Sequence, residues 1–276
     1  MIFVEIDNYA LAYHLQGDSS RPVILFLHGF MGDRLEFDQA IAVLSKQFYC
    51  LAIDLPAHGL TEVTDQDIDY TIQSTANIII KLLNLLDIGR CFLVGYSMGG
   101  RLGLYLTLYF PQYFYKVVLE SASAGLSTAQ ARGDRLAKDQ QLAAELESDD
   151  FNFRLFLENW YQQPIFATMR SHRNFWQLLE KRLNNSPVKL AKSLRNLSVG
   201  LQPSLWEMLS ENQVPLLLLV GELDPKFVQI NQQMEQICKF LKLEIMPNCG
   251  HNTHFENSDL FAKKIQGFFN QNPRGS

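Results

Sequence analysis

The sequence predicts an α/β fold in which helices cover both faces of a mostly parallel central sheet. Short aliphatic and aromatic runs recur along the 276-residue chain, and segments with helical periodicity separate them. Strands that are apolar on both faces are typical of a parallel sheet buried between helices. From about residue 124 to residue 200 the alternation stops and only helical patterns remain, which predicts a helical insertion.

Six apolar runs are predicted as strands of this sheet. In chain order they are residues 22–27, 48–53, 91–95, 116–119, 215–220 and 241–246. Helices are predicted where apolar residues recur every three to four positions. These segments are 71–86 and 101–110 outside the insertion, and 136–146, 151–160 and 175–183 within it. The chain is therefore predicted to form a core from residues 1–123 and 201–276 and a helical cap from residues 124–200.

The charge of the chain is mildly acidic overall but unevenly distributed. The 24 Lys and Arg residues stand against 29 Asp and Glu, a net charge of -5, which argues against a nucleic-acid partner. The predicted cap holds eleven basic and eight acidic residues, a net +3 that leaves -8 for the rest of the chain. A basic cap over an acidic body favours an anionic ligand between them, unless the charges only solvate helix faces.

Cysteine usage and apolar segments indicate the cellular setting. The four cysteines lack the spacing of a metal site or a disulfide framework, which fits a reducing compartment. The first residues lack the pattern of a signal peptide, and no apolar run approaches the roughly 20 residues of a membrane span. We expect a cytoplasmic protein with no metal site and no membrane insertion. No pattern in the sequence indicates an oligomeric state.

The segment Gly95-Tyr96-Ser97-Met98-Gly99 has the pattern Gly-x-Ser-x-Gly between a predicted strand and a predicted helix. A sharp turn from strand to helix presents such a serine to solvent at a helix N-terminus, where negative charge is favoured. In this context Ser97 is predicted to be a functional serine. The alternative is a serine that only caps the helix.

A reactive serine needs a base, and the base needs a carboxylate that orients it. In a strand-turn-helix site of this kind the chain order is serine, acid, histidine. Asp224 follows the predicted strand 215–220, and His251 lies in the loop after strand 241–246. Glu222 competes for the acid role but lies nearer the strand. His254 competes for the base and is predicted instead to be a structural residue that supports the site.

Two backbone amides are predicted to form an oxyanion hole. One belongs to Met98, the residue after the serine, and the other to Phe30 in the loop after the first predicted strand. His28 in that loop and His58 after strand 48–53 are predicted to be structural. Loops at strand ends need such polar side chains to satisfy their exposed backbone groups.

Taken in order, these motifs resemble the α/β-hydrolase superfamily over essentially the whole chain. Within it, six segments resemble the 2-succinyl-6-hydroxy-2,4-cyclohexadiene-1-carboxylate synthase family; they are residues 95–101, 119–126, 132–135, 160–166, 221–227 and 250–254. The resemblance implies a lyase of menaquinone or phylloquinone biosynthesis. It would eliminate pyruvate from 2-succinyl-5-enolpyruvyl-6-hydroxy-3-cyclohexene-1-carboxylate without a metal or organic cofactor.

The same resemblance implies roles for individual residues. Ser97, activated by His251 and oriented through Asp224, would abstract a proton next to a carbonyl. The two amides of the oxyanion hole would hold the enolate-like oxygen that develops. Three arginines match family positions that hold substrate carboxylates: Arg101, Arg135 and, with a small gap in the alignment, Arg182. Two aromatic residues match positions that line the pocket: Tyr96 and Trp160.

The partner implied by the family is a small tricarboxylate, and guanidinium groups bind carboxylates through paired hydrogen bonds. Two other functions fit the same residues. Ser97, Asp224 and His251 would also serve an ester or C–C bond hydrolase that works through an acyl-enzyme. A non-catalytic ligand-binding protein is the second alternative, and the complete set of serine, acid and histidine weighs against it.

Overall fold

The computed structural model describes residues 2–64 and 70–271. Its centre is a nine-stranded sheet in the order β1-β2-β4-β3-β6-β7-β8-β9, with β5 paired to β2. The strands are β1 Ile2–Ile6, β2 Tyr9–Gln16, β3 Val23–Leu27, β4 Tyr49–Ile53, β5 Glu62–Val63, β6 Cys91–Tyr96, β7 Phe114–Glu120, β8 Leu216–Gly221 and β9 Leu241–Met246. Pairs that involve β2 are antiparallel and the other pairs are parallel. The predicted α/β fold is confirmed.

Helices follow most of the parallel strands and pack on both faces of the sheet. Those outside the segment between β7 and β8 are α1 Asp38–Leu44, α2 Ile72–Leu85, α3 Met98–Tyr109, α9 Pro225–Ile237, α10 Thr253–Glu256 and α11 Ser258–Asn270. One apolar cluster joins the sheet to α2, α3 and α9, and a second joins the other face to α1 and α11. The sheet is therefore covered on both sides, as the apolar character of its central strands requires.

Five further helices lie between β7 and β8. They are α4 Ala129–Leu146, α5 Phe153–Tyr161, α6 Ala167–Arg170, α7 Phe175–Arg182 and α8 Pro187–Asn196. Their inward side chains form a third apolar cluster, which includes Phe156, Leu179 and Leu190. Met31, from the loop after β3, is buried in this cluster and thereby joins the cap helices to the rest of the fold.

The structure adds a hairpin that the sequence analysis did not predict. Strands β1 and β2 pair antiparallel, and β2 then pairs with β4. Strand β1 is largely exposed, so it lacks the continuous apolar run by which the central strands were found. The hairpin extends the sheet at the edge away from the candidate site, which is built on the carboxyl ends of β3, β6, β8 and β9.

Candidate active site

Ser97 occupies a strained turn between β6 and α3. Its φ of 49° and ψ of -104° lie where a residue with a side chain is rare, and its amide donates to the Glu120 carbonyl oxygen at 2.9 Å. A Cβ at Gly99 would overlap the carbonyl oxygens of Leu27 and His28, so α3 approaches β3 this closely only because that residue is glycine. The turn therefore places the Ser97 hydroxyl at the carboxyl end of strand β6, beside the first turn of helix α3.

His251 lies between Ser97 and Asp224 and contacts both. Its Nε2 is 3.2 Å from Ser97 Oγ, and its Nδ1 is 2.7 Å from Asp224 Oδ2. His251 and Asp224 are each only 4% exposed. With the Nδ1 proton donated to the carboxylate, the Nε2 lone pair faces the serine hydroxyl and can accept its proton.

Asp224 is held in place because it also begins α9. Its Oδ1 accepts a hydrogen bond from the Phe227 amide at 3.2 Å, which leaves Oδ2 for His251. Glu222, the competing acid, is exposed and accepts instead from the Asn248 amide at 3.0 Å. The structure thus brings Asp224, and not Glu222, to the histidine.

His254 lies behind the site and is held by two buried carboxylates. Its Nδ1 is 2.6 Å from Glu120 Oε2, and its Nε2 is 3.3 Å from Glu36 Oε1. Burial by itself lowers the pKa of His254, but the two carboxylates outweigh this effect and raise the pKa to about 9. A histidine that is already protonated cannot act as the base, so this side chain supports the loop that carries His251.

Two further histidines that follow strand ends bond to backbone groups. His28 Nδ1 donates to the Gly29 carbonyl at 2.7 Å, and its Nε2 accepts from the Leu55 amide at 3.0 Å. His58 Nδ1 donates to the Pro56 carbonyl at 3.0 Å. Burial lowers the pKa of His28, and burial together with His28 lowers the pKa of His58 to about 3. Both rings are neutral and shape the loops around Phe30.

A cavity of about 780 Å³ opens over Ser97, between the strand ends and the cap helices. Phe30 and Met98 line it beside Ser97 and His251. Met98 is the first residue of α3, where amides have no acceptor within the helix and can bind a negative oxygen. The Met98 amide therefore suits a role in the predicted oxyanion hole, and Phe30, the other predicted donor, lies on the same cavity.

The charged side chains that line the cavity are mostly cationic. They are Arg101, Arg135, Lys138, Lys226, Asp139 and Asp224. Both carboxylates are already hydrogen-bonded within the protein, Asp224 to His251 and Asp139 to the Arg135 Nε at 2.8 Å. The four cationic side chains outnumber the two carboxylates, so the cavity lining carries an excess of positive charge.

Arg101 and Arg135 are both oriented by neighbouring side chains. Arg101 Nη1 donates to Gln202 Oε1 at 2.7 Å, and burial together with Arg135 lowers the pKa of Arg101 to about 10. This value is far enough above neutrality that Arg101 stays charged. Asp139, which is 1% exposed, holds Arg135 and also accepts from Ser198 Oγ at 2.7 Å. The two guanidinium groups are thus set on one wall of the cavity.

The two aromatic residues that the family resemblance singled out lie in different surroundings. Trp160 lines the cavity and packs on Phe30, with ring centroids 5.4 Å apart. Tyr96 is 5% exposed and does not line the cavity; its ring packs against His254 with centroids 4.9 Å apart. Its ring therefore packs behind the loop of His251 and His254 and is not exposed to the cavity.

Arg182 differs most from its expected place. It is 6% exposed, it is not among the residues that line the cavity, and its Nη2 bonds both carboxylate oxygens of Glu36 at 2.8 and 2.7 Å. The expectation that Arg182 holds a substrate carboxylate is therefore corrected. What separates it from Arg101 and Arg135 is its place, since those two residues line the cavity and Arg182 does not.

Sequence reasoning missed several residues that position the site. Gln202, Asp139 and Ser198 are ordinary polar residues in helical or loop segments, and no pattern marks them. Lys226 carried a signal, since it lies two residues after Asp224 at the start of α9. Among the residues in the two described ranges, no group of His, Cys, Asp and Glu side chains is arranged to hold a metal ion. No helix in those ranges is long and apolar enough to cross a membrane.

Comparison with known proteins gives the same fold and similar proteins of known name. A protein family described as the alpha/beta hydrolase fold matches residues 22–258. The 2-succinyl-6-hydroxy-2,4-cyclohexadiene-1-carboxylate synthase of Serratia proteamaculans is 35% identical over 92% of this chain and 95% of its own length. The chain is 31% identical to the Arabidopsis thaliana protein PHYLLO, chloroplastic, over 92% of its own length and 16% of that protein.

A solved structure gives the same result in three dimensions. The structure of MenH from S. aureus superposes with a TM-score of 0.86 at 31% sequence identity, covering 96% of this chain and 98% of that one. Sequence identity at this level, over nearly the full length of both proteins, shows a shared family as well as a shared fold. The chain belongs to the 2-succinyl-6-hydroxy-2,4-cyclohexadiene-1-carboxylate synthase family within the α/β-hydrolase fold.

Proposed function

We propose that the protein is a lyase that eliminates pyruvate from 2-succinyl-5-enolpyruvyl-6-hydroxy-3-cyclohexene-1-carboxylate. The product is 2-succinyl-6-hydroxy-2,4-cyclohexadiene-1-carboxylate, a step of menaquinone or phylloquinone biosynthesis. Relatives that carry the name of this synthase match nearly the whole chain. The observation that carries the proposal is a Ser97–His251 pair, 3.2 Å apart, that opens into a cavity lined by Arg101 and Arg135.

The first step of the proposed reaction is removal of a proton next to a carbonyl. The ring carbon that bears the succinyl group carries an acidic hydrogen, because the adjacent carbonyl can accept the negative charge. Ser97 Oγ takes this proton while its own proton moves to His251 Nε2. Asp224 stabilises the imidazolium that forms, since it accepts the Nδ1 proton at 2.7 Å.

The electron pair released at this carbon then completes the elimination. It forms a double bond within the ring, the existing ring double bond shifts by one position, and the C–O bond to the enolpyruvyl group breaks. The leaving group departs as the enolate of pyruvate, which takes a proton to become pyruvate. The proton gained by His251 is the natural donor for this step, so the base returns to its starting state.

Two amides are proposed to stabilise the oxygen that becomes negative. In the transition state charge moves from the abstracted C–H bond onto the succinyl carbonyl oxygen. Phe30 and Met98 are among the residues that line the cavity beside Ser97, and fixed amide donors contribute most where water is excluded. Trp160 packs on Phe30 and covers this region from the cap side.

The proposed substrate carries three carboxylates, which matches the charge of the cavity wall. Arg101 and Arg135 are fixed by Gln202 and Asp139, so little conformational entropy is lost when they bind a carboxylate. The anionic character of the substrate is part of this proposal. It is supported by an excess of cationic side chains along the cavity.

The proposal extends to the domain organisation and the location of the protein. Residues 124–200 would act as a cap that encloses the substrate, and their helices have an apolar cluster of their own. A cytoplasmic location is supported by four cysteines that are buried and unpaired.

The experiment that tests the function is a pyruvate assay coupled to lactate dehydrogenase. Wild type is expected to release pyruvate in proportion to the enolpyruvyl substrate, and Ser97→Ala is expected to lose about 10³-fold or more in kcat. Absence of pyruvate release from wild type, together with rapid turnover of p-nitrophenyl esters, would instead establish the hydrolase alternative. Equal rates in wild type and Ser97→Ala would remove Ser97 from the chemistry.

A further inference from the structure

Arg182 is a buried charged residue outside the cavity whose guanidinium makes four hydrogen bonds. It ends α7 in the cap, yet its guanidinium reaches across to the core. Its Nη2 bonds both Glu36 oxygens at 2.8 and 2.7 Å, its Nη1 donates to the Met31 carbonyl at 2.9 Å, and its Nε donates to the Tyr161 hydroxyl at 3.3 Å. The side chains of Arg182 and Glu36 are 7% and 2% exposed.

The Met31 carbonyl belongs to the loop that presents the Phe30 amide. Gly29 and Gly32 close this loop as a turn, with the Gly32 amide donating to the Gly29 carbonyl at 3.0 Å. Met31 has a φ of 65°, the conformation that a type II turn requires at its third residue and that a side chain disfavours. Such a conformation persists only when surrounding contacts hold it.

Three contacts from the cap hold this loop. Arg182 Nη1 and Asn185 Nδ2 both donate to the Met31 carbonyl, at 2.9 and 3.0 Å. The Met31 side chain is 1% exposed and packs within the apolar cluster of the cap helices. The loop that carries one proposed oxyanion donor is therefore shaped as much by the cap as by the core.

Glu36 connects the same contact to the catalytic loop. A Cβ built on Gly32 would lie 2.5 Å from Glu36 Oε2, so the carboxylate fits against the turn only because that residue is glycine. Glu36 Oε1 also lies 3.3 Å from His254 Nε2, three residues after His251. The ion pair of Arg182 and Glu36 thus lies where the cap, the oxyanion loop and the histidine loop meet.

We propose that Arg182 is a positioning residue, which ties cap helix α7 to the Gly29–Gly32 turn and so holds the Phe30 amide where the enolate oxygen develops. It acts through Met31 and Glu36 and does not contact substrate. This inference rests on the proposed function for its reaction, but the geometry of the oxyanion hole can be probed without the natural substrate. Fluorophosphonates react with an activated serine through a transition state whose oxygen binds the same two amides.

The test uses variants that loosen the turn in different ways. Arg182→Lys keeps a charge beside Glu36, but one ammonium group cannot span Glu36, Met31 and Tyr161 as the guanidinium fork does. Asn185→Leu removes the second donor to the Met31 carbonyl without leaving a buried charge unpaired. Arg154→Lys is the matched control, because Arg154 pairs with Glu180 on the exposed surface of the same cap at 2.9 Å.

For Arg182→Lys we expect kcat for pyruvate release to fall by about 10-fold or more, with KM within about three-fold of wild type. The rate of Ser97 labelling by a fluorophosphonate should fall by a similar factor. Asn185→Leu should lower both rates by a smaller factor, and Arg154→Lys should leave both unchanged. Rates are compared at a temperature at which every variant is folded, so that a lower Tm alone does not register.

Two results would overturn the inference. A rise in KM with kcat and labelling unchanged would make Arg182 a substrate ligand, and unchanged kcat and labelling in folded Arg182→Lys and Asn185→Leu would make it a structural ion pair only. If wild type releases no pyruvate but labelling still falls in Arg182→Lys, the proposed reaction fails while the positioning role stands.

Discussion

Replacing Arg101 by glutamine tests whether the cavity wall recognises carboxylates. Arg101 follows Ser97 by one turn of α3, and one of its five N–H donors is used by Gln202 at 2.7 Å. The remaining donors can serve a ligand in the cavity that the residue lines. Glutamine keeps a polar group of similar reach and removes the charge, so the substitution isolates the charged hydrogen bonds.

The size of the effect follows from the burial and charge of this contact. Hydrogen bonds to a charged group contribute about 1.5 to 3 kcal/mol, and each 1.4 kcal/mol corresponds to about a factor of ten in kcat/KM. We therefore expect kcat/KM for the enolpyruvyl substrate to fall by about 10- to 150-fold in Arg101→Gln. Arg135 lies near enough to lower the pKa of Arg101, so removing Arg101 also relieves a repulsion and favours the lower part of this range.

The assay is the initial rate of pyruvate release over a range of substrate concentrations. Arg195→Gln serves as the control, since Arg195 pairs with Glu147 at 2.5 Å and does not line the cavity. Its kcat/KM should equal that of wild type. A value of kcat/KM in Arg101→Gln within about two-fold of wild type would refute the carboxylate role of Arg101.

Three further predictions concern Asp224, the buried His254 and the turn between β6 and α3. Asp224→Asn removes the charge that orients His251 and should lower kcat for pyruvate release by about 10³- to 10⁴-fold; a loss below ten-fold would contradict the role. Burial lowers the pKa of His254, but two buried carboxylates raise it to about 9, above the ordinary 6.5, so its stabilising charge is fully present below pH 6.5 and lost as the pH rises to about 9. The Tm advantage of wild type over His254→Gln should shrink across that interval, and a constant difference would argue against a charged His254. Gly99→Ala drives a Cβ into backbone carbonyls and should lower the free energy of unfolding by about 2 kcal/mol or more in urea denaturation; an unchanged midpoint would contradict the close packing.

The central strands were predictable because burial on both faces leaves a direct trace in the sequence. The predicted run 241–246 coincides with β9, and the run 215–220 differs from β8 by one residue at each end. Strand β1 was missed because it is the largely exposed outer strand of an antiparallel hairpin, and β2 is its partner in that hairpin. Exposed strands carry alternation or no clear pattern, and their register depends on a partner that is distant in the sequence.

Ser97, Asp224 and His251 were predictable for a different reason. Each of them lies shortly after a predicted strand, so its position can be recognised from the neighbouring sequence. The residues around Ser97 must form a strand-turn-helix elbow, and the acid and histidine must follow later strand ends. Arg182 could not be placed in this way. Its partner Glu36 lies 146 positions away, and only the folded chain shows that the pair is buried and is not part of the cavity lining. A matching position in a family therefore does not by itself give a residue its role.

The mass of the ring product formed in heavy-oxygen water tests the central claim most directly. Elimination breaks a C–O bond without adding water, so wild type is expected to give pyruvate and a cyclohexadiene product that carries no oxygen from the solvent. An ester or C–C bond hydrolase that works through a Ser97 acyl-enzyme would form no diene, and the acid released from the acyl-enzyme would carry one oxygen from the solvent. Detection of the unlabelled diene would support the lyase built on Ser97, His251 and Asp224. A labelled hydrolysis product in its place would contradict it.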